Sequence, residues 1–318
     1  MPTHRKIRFG FAAVLPNTVA EWRDLGRKAE DLGYDVMHVA DHLSRQWSPL
    51  LALLSVADAT TRLRVGTQVI ANDFRHPVVL AKEIATLDVL TGGRFECGIG
   101  VGHPATSAIG RTDYAQLGRP MDEPGPRVGR LAESLRLIKQ FLGSSEPFDF
   151  AGSFYNGTGI FPFPRPVQQP RPPIMVAGAG PRMLRLSGRE ADIINIAPRP
   201  PTVGPSARGT VGFGLDIHGE LELIKEAAGA RYDDIELCVF ADRAVVTADV
   251  EPAMLRLQDE LQINRQQLLE MPHTLIGEPA AIEERILADR ERYGITYRIV
   301  PGALMEAFAP VVKRLAGA

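Results

Sequence analysis

Short apolar runs alternate with amphipathic stretches along the whole chain. After the first apolar run, residues 19–33 carry apolar side chains at helical spacing and end at Gly33, which indicates a helix between two strands. The same alternation predicts eight strands, in 7–15, 36–40, 62–71, 94–102, 173–180, 192–197, 235–246 and 296–302. It predicts helices in 19–33, from Ser48 onwards, in 76–93, near 125–142, in 181–190, 215–229, 249–268 and 279–292, and up to 316.

Eight strands separated by helices are typical of a (β/α)8 TIM barrel, an α/β fold, here as a single domain over 1–318. Continuous apolar strands fit a parallel sheet covered on both faces. Two insertions interrupt the alternation. Residues 143–173 have a Phe/Tyr/Gly pattern that predicts a hairpin, and 198–214 form either a mobile connector or an active-site lid. The alternative fold is two doubly wound domains joined within 161–173.

Composition and charge exclude several classes of protein. The chain is 45% hydrophobic and 23% charged with a formal net charge of -2, so it lacks the electrostatic footprint of a nucleic-acid-binding protein. No stretch approaches the ~20 apolar residues of a membrane span, and the N-terminus lacks an apolar signal core. Cys97 and Cys238 lie in separate apolar runs, which predicts reduced thiols and a cytoplasmic location.

Polar or glycine-rich residues follow the apolar strands where the strands end. Asp41 and His42 come directly after 36–40, and similar residues occur in 68–72 and 98–103. The carboxyl ends of the strands form the reactive face of a parallel barrel, so these groups are candidates for a common site. A capping role for Asp41 is redundant, because Ser48 already opens the next helix. The alternative for His42 is that it lies in a loop and has no role in catalysis.

Two glycine-rich strand ends have the composition of ligand-binding turns. Neither 98–102 nor 178–183 has the spacing of the dinucleotide fingerprint, and no P-loop motif occurs. Gly178 and Gly180 stand directly before the helix predicted from Pro181, where free N–H groups and the positive helix end favour a phosphate. A purely structural tight turn is the alternative for these glycines.

A metal site is not expected. His38, His42, His76 and His103 all fall in the first third of the chain, but the two that have ligand-like spacing, His38 and His42, lie on a strand and its exit. That spacing on a strand does not put two ligands on one face.

Two segments together resemble a known family. The stretch GTQVIANDFRHPVVLAKEIATLDVLTGGRFECGIGVG (66–102) resembles the luciferase-like monooxygenase superfamily, and VAGAGPRMLRLSGREADIINI (176–196) looks like its phosphate-binding turn and following helix. The resemblance runs from about residue 7 to 198 and over the last forty residues. An Asp-His pair after the second strand, with Trp47 nearby, is similar to the branch that uses the deazaflavin F420.

The resemblance implies a role for each strand end. His42 would donate or accept a proton, with Asp41 near the ring and His103 facing the same cavity. Gln68 and Val69 would form a bulge behind the ring, with a non-proline cis peptide within 67–71. The cofactor would be bound by Asp41, Gln68, Val69, Gly100, Val101, Gly102, Ala177, Gly178, Ala179 and Gly180.

The resemblance also implies an activity: an F420-dependent oxidoreductase acting on a small organic substrate, forming a homodimer through early helices. The alternatives are an FMN-dependent monooxygenase that uses externally reduced flavin, and a non-catalytic binding relative. Two departures argue against sugar-phosphate oxidation, because His103 replaces a glutamate and Trp47 lies one residue late. The acidic oligoglutamate tail of F420 would meet arginines at positions 182, 185, 199 and 208.

Overall fold

The computed structural model describes residues 5–14, 18–44, 46–104, 106–197 and 217–318. The strands are β1 (Arg8–Ala12), β2 (Val36–Val39), β3 (Arg64–Thr67), β4 (Ile70–Ala71), β5 (Phe95–Gly100), β6 (Phe148–Ala151), β7 (Asn156–Ile160), β8 (Ile174–Gly178), β9 (Ile193–Ile196), β10 (Glu236–Phe240), β11 (Arg243–Val246), β12 (Thr274–Gly277) and β13 (Ile295–Pro301). The helices are α1 (Val19–Asp31), α2 (Pro49–Ala57), α3 (Pro77–Leu90), α4 (Ala108–Leu117), α5 (Pro124–Gly143), α6 (Pro181–Glu190), α7 (Ile217–Ala228), α8 (Val250–Leu261), α9 (Arg265–Glu270), α10 (Pro279–Tyr293) and α11 (Met305–Leu315).

Eight of the strands close into a parallel barrel. Their order is β3-β2-β1-β13-β10-β9-β8-β5, and β5 pairs back onto β3, where Val65 lies opposite Phe95. Every pair in this ring is parallel, and helices follow the strands on the outside. The predicted (β/α)8 barrel is therefore confirmed, and the closed ring excludes two separate doubly wound sheets. All catalytic candidates at strand ends consequently lie on one rim.

Helix starts and packing follow from local sequence. Thr18 caps α1, and Glu21 bonds back to the Thr18 N–H in a capping box. The helix buries Trp22, whose Nε1–H donates to the Ala52 carbonyl at 2.8 Å and so fixes α1 against α2. Among the described residues, no helix combines the length and apolar character that a membrane crossing requires.

A buried polar network fills the amino-terminal end of the barrel. The Glu96 carboxylate accepts hydrogen bonds from Arg8 at 2.8 Å and Arg64 at 2.7 Å, and Arg8 also reaches Glu236. Burial alone would raise the pKa of Glu96, but the Arg8 and Arg64 guanidinium groups lower it to about 2. These paired charges fill this end of the barrel, whereas the polar strand ends singled out by the sequence lie at the opposite, carboxyl end.

The first insertion contains the predicted hairpin, formed by antiparallel β6 and β7. The buried carboxylate of Glu133 on α5 accepts hydrogen bonds from the backbone N–H groups of Ser153, Phe154 and Tyr155. These bonds hold the hairpin turn against the barrel. The predicted connector or lid over 198–214 lies outside the described residues.

Two predictions about elements were wrong, and two elements were missed. Residues 235–246 are two strands, because the chain leaves the barrel near Ala241 and β11 pairs with β12 instead. Residues 249–268 are two helices, since Gln262 adopts φ 55 at the end of α8 and Asn264 caps α9. The elements α4 and β12 were not predicted at all.

Candidate active site

Asp41 links the end of β2 to the chain after β3. Its buried carboxylate accepts hydrogen bonds from Arg75 Nη1 at 2.5 Å and Nη2 at 3.2 Å, and from the Ala71 N–H at 3.2 Å. Both carboxylate oxygens are thus engaged by donors. Asp41 is thus arranged to hold the backbone of β4 in place, and less suited to passing a proton itself.

The chain between β3 and β4 has the predicted irregularity. The peptide between Gln68 and Val69 is cis, which confirms the expected geometry within 67–71. Thr67 binds the Gly98 backbone through its hydroxyl, donating to the carbonyl at 2.7 Å and accepting from the N–H at 2.9 Å. A Cβ at Gly98 would lie 1.9 Å from the Thr67 carbonyl oxygen, so only glycine allows this approach.

Glycine also brings the ends of β5 and β8 close to the bulge. A Cβ at Gly100 would lie 2.9 Å from Val69 Cγ2 and 3.2 Å from the Ala177 carbonyl oxygen. Gly102 follows with φ 78, a left-handed conformation that favours glycine. Val101 lies between them and is half-buried. These residues form a wall of backbone with few side chains, against which a flat ring system could lie.

His42 is oriented by a carboxylate that sequence reasoning missed. Its Nδ1 lies 3.0 Å from Asp113 Oδ2, and Asp113 Oδ1 accepts the Leu43 N–H at 2.9 Å. An ionised carboxylate can only accept, so Nδ1 carries the proton that it donates to Asp113. The neutral imidazole then presents a lone pair on Nε2, for which the described residues supply no hydrogen-bond partner. Such an arrangement suits a group that takes up a proton.

His103 lies beside His42, as predicted, with ring centroids 5.1 Å apart. Its Nδ1 is 3.2 Å from the Ser107 hydroxyl, and its carbonyl accepts from Arg127 at 2.9 Å. Arg127 also donates to the Val101 carbonyl and so fixes the whole turn after β5. Burial lowers the pKa of His103, and the neighbouring His42 lowers it further. His103 is therefore neutral at neutral pH.

The turn after β8 is a second ligand-binding candidate. Residues Ala177 to Gly180 are half-buried, and Gly180 has φ 84 directly before Pro181 begins α6. No side chain caps this helix, so the N–H groups of its first turn are left for another acceptor. A Cβ at Gly180 would meet nothing within 4 Å, which leaves open space at the helix end. An anion such as a phosphate fits there.

A hub around Asp73 ties the site to α4 and α5. Asp73 accepts from the Tyr114 hydroxyl at 2.5 Å and from Arg130 at 2.7 and 3.0 Å. Burial alone would raise the pKa of Asp73, but these bonds hold it below its usual range. The hub positions α4, which carries Asp113.

The remaining sequence candidates lie elsewhere. Trp47 packs edge-on against Trp22, with ring centroids 6.1 Å apart. Arg182 and Arg185 lie on α6, whereas positions 199 and 208 fall outside the described residues. Over the part of the chain that the structure describes, no three His, Cys, Asp or Glu side chains are grouped to hold a metal ion.

The fold is a (β/α)8 barrel, and the strand ends at Gln68–Val69, 100–102 and 177–180 lie on one rim of it. Residues 5–204 match the family model described as luciferase-like monooxygenase. The chain belongs to this luciferase-like monooxygenase family.

Curated relatives cover part of the chain. An F420-dependent glucose-6-phosphate dehydrogenase of Kineococcus radiotolerans is 36% identical over 178 residues, 53% of this chain and 50% of its own. The 4-hydroxyprotoasukamycin monooxygenase of Streptomyces nodosus subsp. asukaensis is 36% identical over 132 residues, 40% of this chain and 33% of its own. The chain thus spans about half the length, or less, of these relatives.

A solved structure extends the likeness to nearly the whole chain. The F420-dependent tetrahydromethanopterin reductase of Methanopyrus kandleri aligns with a TM-score of 0.75 and 19% identity, covering 98% of this chain and 99% of that one. At this identity the likeness shows the fold alone.

Proposed function

We propose that this protein is an F420-dependent oxidoreductase that transfers a hydride between the deazaflavin and a small organic substrate. The observation that carries the proposal is the buried Asp113 carboxylate that orients His42 at the end of β2, on the rim of the barrel. The F420-dependent dehydrogenases among the curated relatives support this choice of cofactor.

The residues present fit such a cofactor. The ring would lie against the bulge of Gln68 and Val69 and the backbone of 100–102, where a Cβ at Gly100 would crowd Val69 and disturb this wall. Asp41 would hold the bulge through Ala71. The phosphate would bind at Ala177, Gly178, Ala179 and Gly180, where α6 has no side-chain cap. When bound, the deazaflavin supplies the hydride chemistry.

The protein then has to orient the substrate and manage one proton. When a hydride leaves a substrate carbon, the proton on the adjoining heteroatom needs a base, and His42 Nε2 is the available acceptor. The hydrogen bond to Asp113 holds His42 in the tautomer that has no proton on Nε2. The same carboxylate stabilises the imidazolium that forms when Nε2 takes up the proton. Neutral His103 completes the wall without placing a like charge beside His42. In the reducing direction the same proton returns to the substrate.

The substrate is a small organic molecule, and the residue at position 103 argues against a sugar phosphate. The family resemblance implies a glutamate at this position in the sugar-phosphate dehydrogenases of this branch, and this chain has His103. We also propose a cytoplasmic homodimer, with contacts through α2 and α3. Leu51 and Val79 on these helices are 70% and 53% exposed, and the buried free thiols of Cys97 and Cys238 fit a reducing compartment. No nucleic acid or membrane partner is proposed.

A second candidate is an FMN-dependent monooxygenase that uses externally reduced flavin. It is favoured by the similarity to 4-hydroxyprotoasukamycin monooxygenase, which covers 40% of this chain. FMN also carries a tricyclic ring and a phosphate, so the seat and the turn at 177–180 would accept it. The two candidates differ in their use of oxygen.

Turnover assays separate the candidates. The purified protein is incubated with oxidised F420 and a panel of alcohols, and with reduced F420 and a panel of carbonyl, imine and activated alkene acceptors. We expect a substrate-dependent change in the deazaflavin absorbance, without oxygen consumption, for at least one substrate. Substrate-dependent oxygen consumption with reduced FMN, and none of these changes with F420, would overturn the proposal.

A further inference from the structure

An open groove runs between α5 and α6 on the outside of the barrel. Its volume is about 240 Å³, and small or apolar residues form its floor, including Gly129 and Ala132 of α5 and Leu186 of α6. Its wall on α6 is formed by three arginines, Arg182, Arg185 and Arg189. It lies outside the catalytic rim and has a charge pattern of its own, so it requires a separate explanation.

The three arginines form one line of positive charge. Their spacing in sequence, three and then four residues, puts them on the same face of α6, over about 10 Å of helix. Among the described residues, only Arg185 has an acidic neighbour, Glu226 at 3.9 Å, and the two side chains are 43% and 73% exposed. Arg182 and Arg189 have none in the same part of the chain. If the arginines served only to solvate this face of α6, no groove would be needed beside them. The small residues of α5 that face them, Gly129 and Ala132, leave room for a groove.

The groove begins beside the anion-binding turn. In a (β/α)8 barrel each helix starts at the catalytic rim and runs back toward the other end, so Arg182 is near Gly180 and Arg189 is farthest away. A ligand whose phosphate lies at Gly180 can therefore continue along α6. The ligand that fits is an elongated polyanion attached to a phosphate.

We propose that this groove binds the oligoglutamate tail of F420, with Arg189 as the distal contact. The inference rests on the proposed function. An extended peptide advances about 3.5 Å per residue, and the γ-linkage of this tail lengthens each repeat. Two or three glutamates therefore reach from Arg182 to Arg189. Further glutamates would extend past the last arginine into solvent and add little affinity.

Binding titrations with deazaflavins of different tail length test the inference. The ligands are the deazaflavin phospholactate without glutamates and F420 with two, four and six glutamates. The proteins are the wild type, Arg189→Gln, the triple variant Arg182→Gln/Arg185→Gln/Arg189→Gln, and the control Arg62→Gln, an exposed arginine on another face. Circular dichroism and thermal unfolding verify that each variant is folded.

We expect wild-type affinity to rise roughly tenfold from no glutamates to two and to level off beyond three, since several exposed ion pairs add modest gains. The triple variant should lose this rise but bind the tailless form within about twofold of wild type. If the tailless form binds and the triple variant keeps the full rise, the inference is wrong and the proposed function stands. If FMN binds but no deazaflavin does, both are wrong.

Discussion

Replacing Asp113 by asparagine tests how His42 is prepared for proton transfer. Asparagine keeps the shape and its Oδ1 still accepts the Leu43 N–H, so the loop should hold. Its side-chain NH2 group, however, can only donate to His42 Nδ1, so the imidazole proton moves to Nε2. Nε2 then has no lone pair with which to accept the substrate proton. The lost bond joins a charged, buried carboxylate to Nδ1 at 3.0 Å. Such bonds are worth about 1.5–3 kcal/mol, which predicts a roughly 10- to 150-fold loss of turnover.

Two measurements distinguish this effect from simple misfolding. Turnover is measured at saturating cofactor with the substrate identified from the panel, and ¹⁵N spectra of histidine-labelled protein report which ring nitrogen carries the proton. We expect the tautomer of His42 to change while cofactor affinity stays within about twofold. The control is Asp24→Asn, an exposed carboxylate paired with Arg27. An unchanged tautomer, or turnover equal to that of the control, would refute the reasoning.

Three further predictions concern the rim and the barrel core. His42→Asn should lower turnover on the order of a hundredfold or more with nearly unchanged cofactor affinity; an equal loss of affinity would make His42 a ring-contact residue. Gly98→Ala should destabilise the protein by about 3 kcal/mol in urea unfolding, because its Cβ would meet the Thr67 carbonyl, whereas Gly143→Ala, in open space, should be near neutral. Burial lowers the pKa of His38 and of His273 from 6.5 to about 4. As the pH drops from 6.5 toward 4, these histidines are protonated in the unfolded chain but not in the folded one, so the stability of the fold decreases. The loss of unfolding free energy at pH 5 is about 2 kcal/mol for each histidine. The variant His38→Gln should therefore lose about 2 kcal/mol less than the wild type between pH 7 and pH 5. An equal loss in the variant and the wild type would contradict this.

The features that sequence reasoning reached are local in the chain. The eight barrel strands, the hairpin and the glycine turn before α6 each depend on residues within one short segment. The cis peptide between Gln68 and Val69 was reached through the family resemblance of the segment that contains it. Features of this kind can be predicted from one segment of the sequence, without knowing which segments are in contact in the fold.

The missed features depend on contacts between distant segments. Asp113 lies 71 residues from His42, on a helix that buries Gly110 and Tyr114 and has no clear apolar stripe. Nothing in its own segment indicates that Asp113 faces the end of β2. The same holds for Arg127, which reaches the carbonyl of Val101 from α5. The contacts that Asp113 and Arg127 make can be identified only from the folded barrel, because they join segments that are far apart in the sequence.

Direct titration of the cofactor-free protein with F420 and with FMN tests the central claim most directly. Both ligands carry a tricyclic ring and a phosphate, so the proposed ring seat and phosphate turn would accept either, and the proposal attributes a preference to contacts beyond the phosphate, where F420 alone is acidic. We predict tighter binding of F420, with an advantage that shrinks as the salt concentration rises. Tighter binding of FMN, or flavin-supported oxygen consumption with a substrate, would contradict the assignment and favour the monooxygenase.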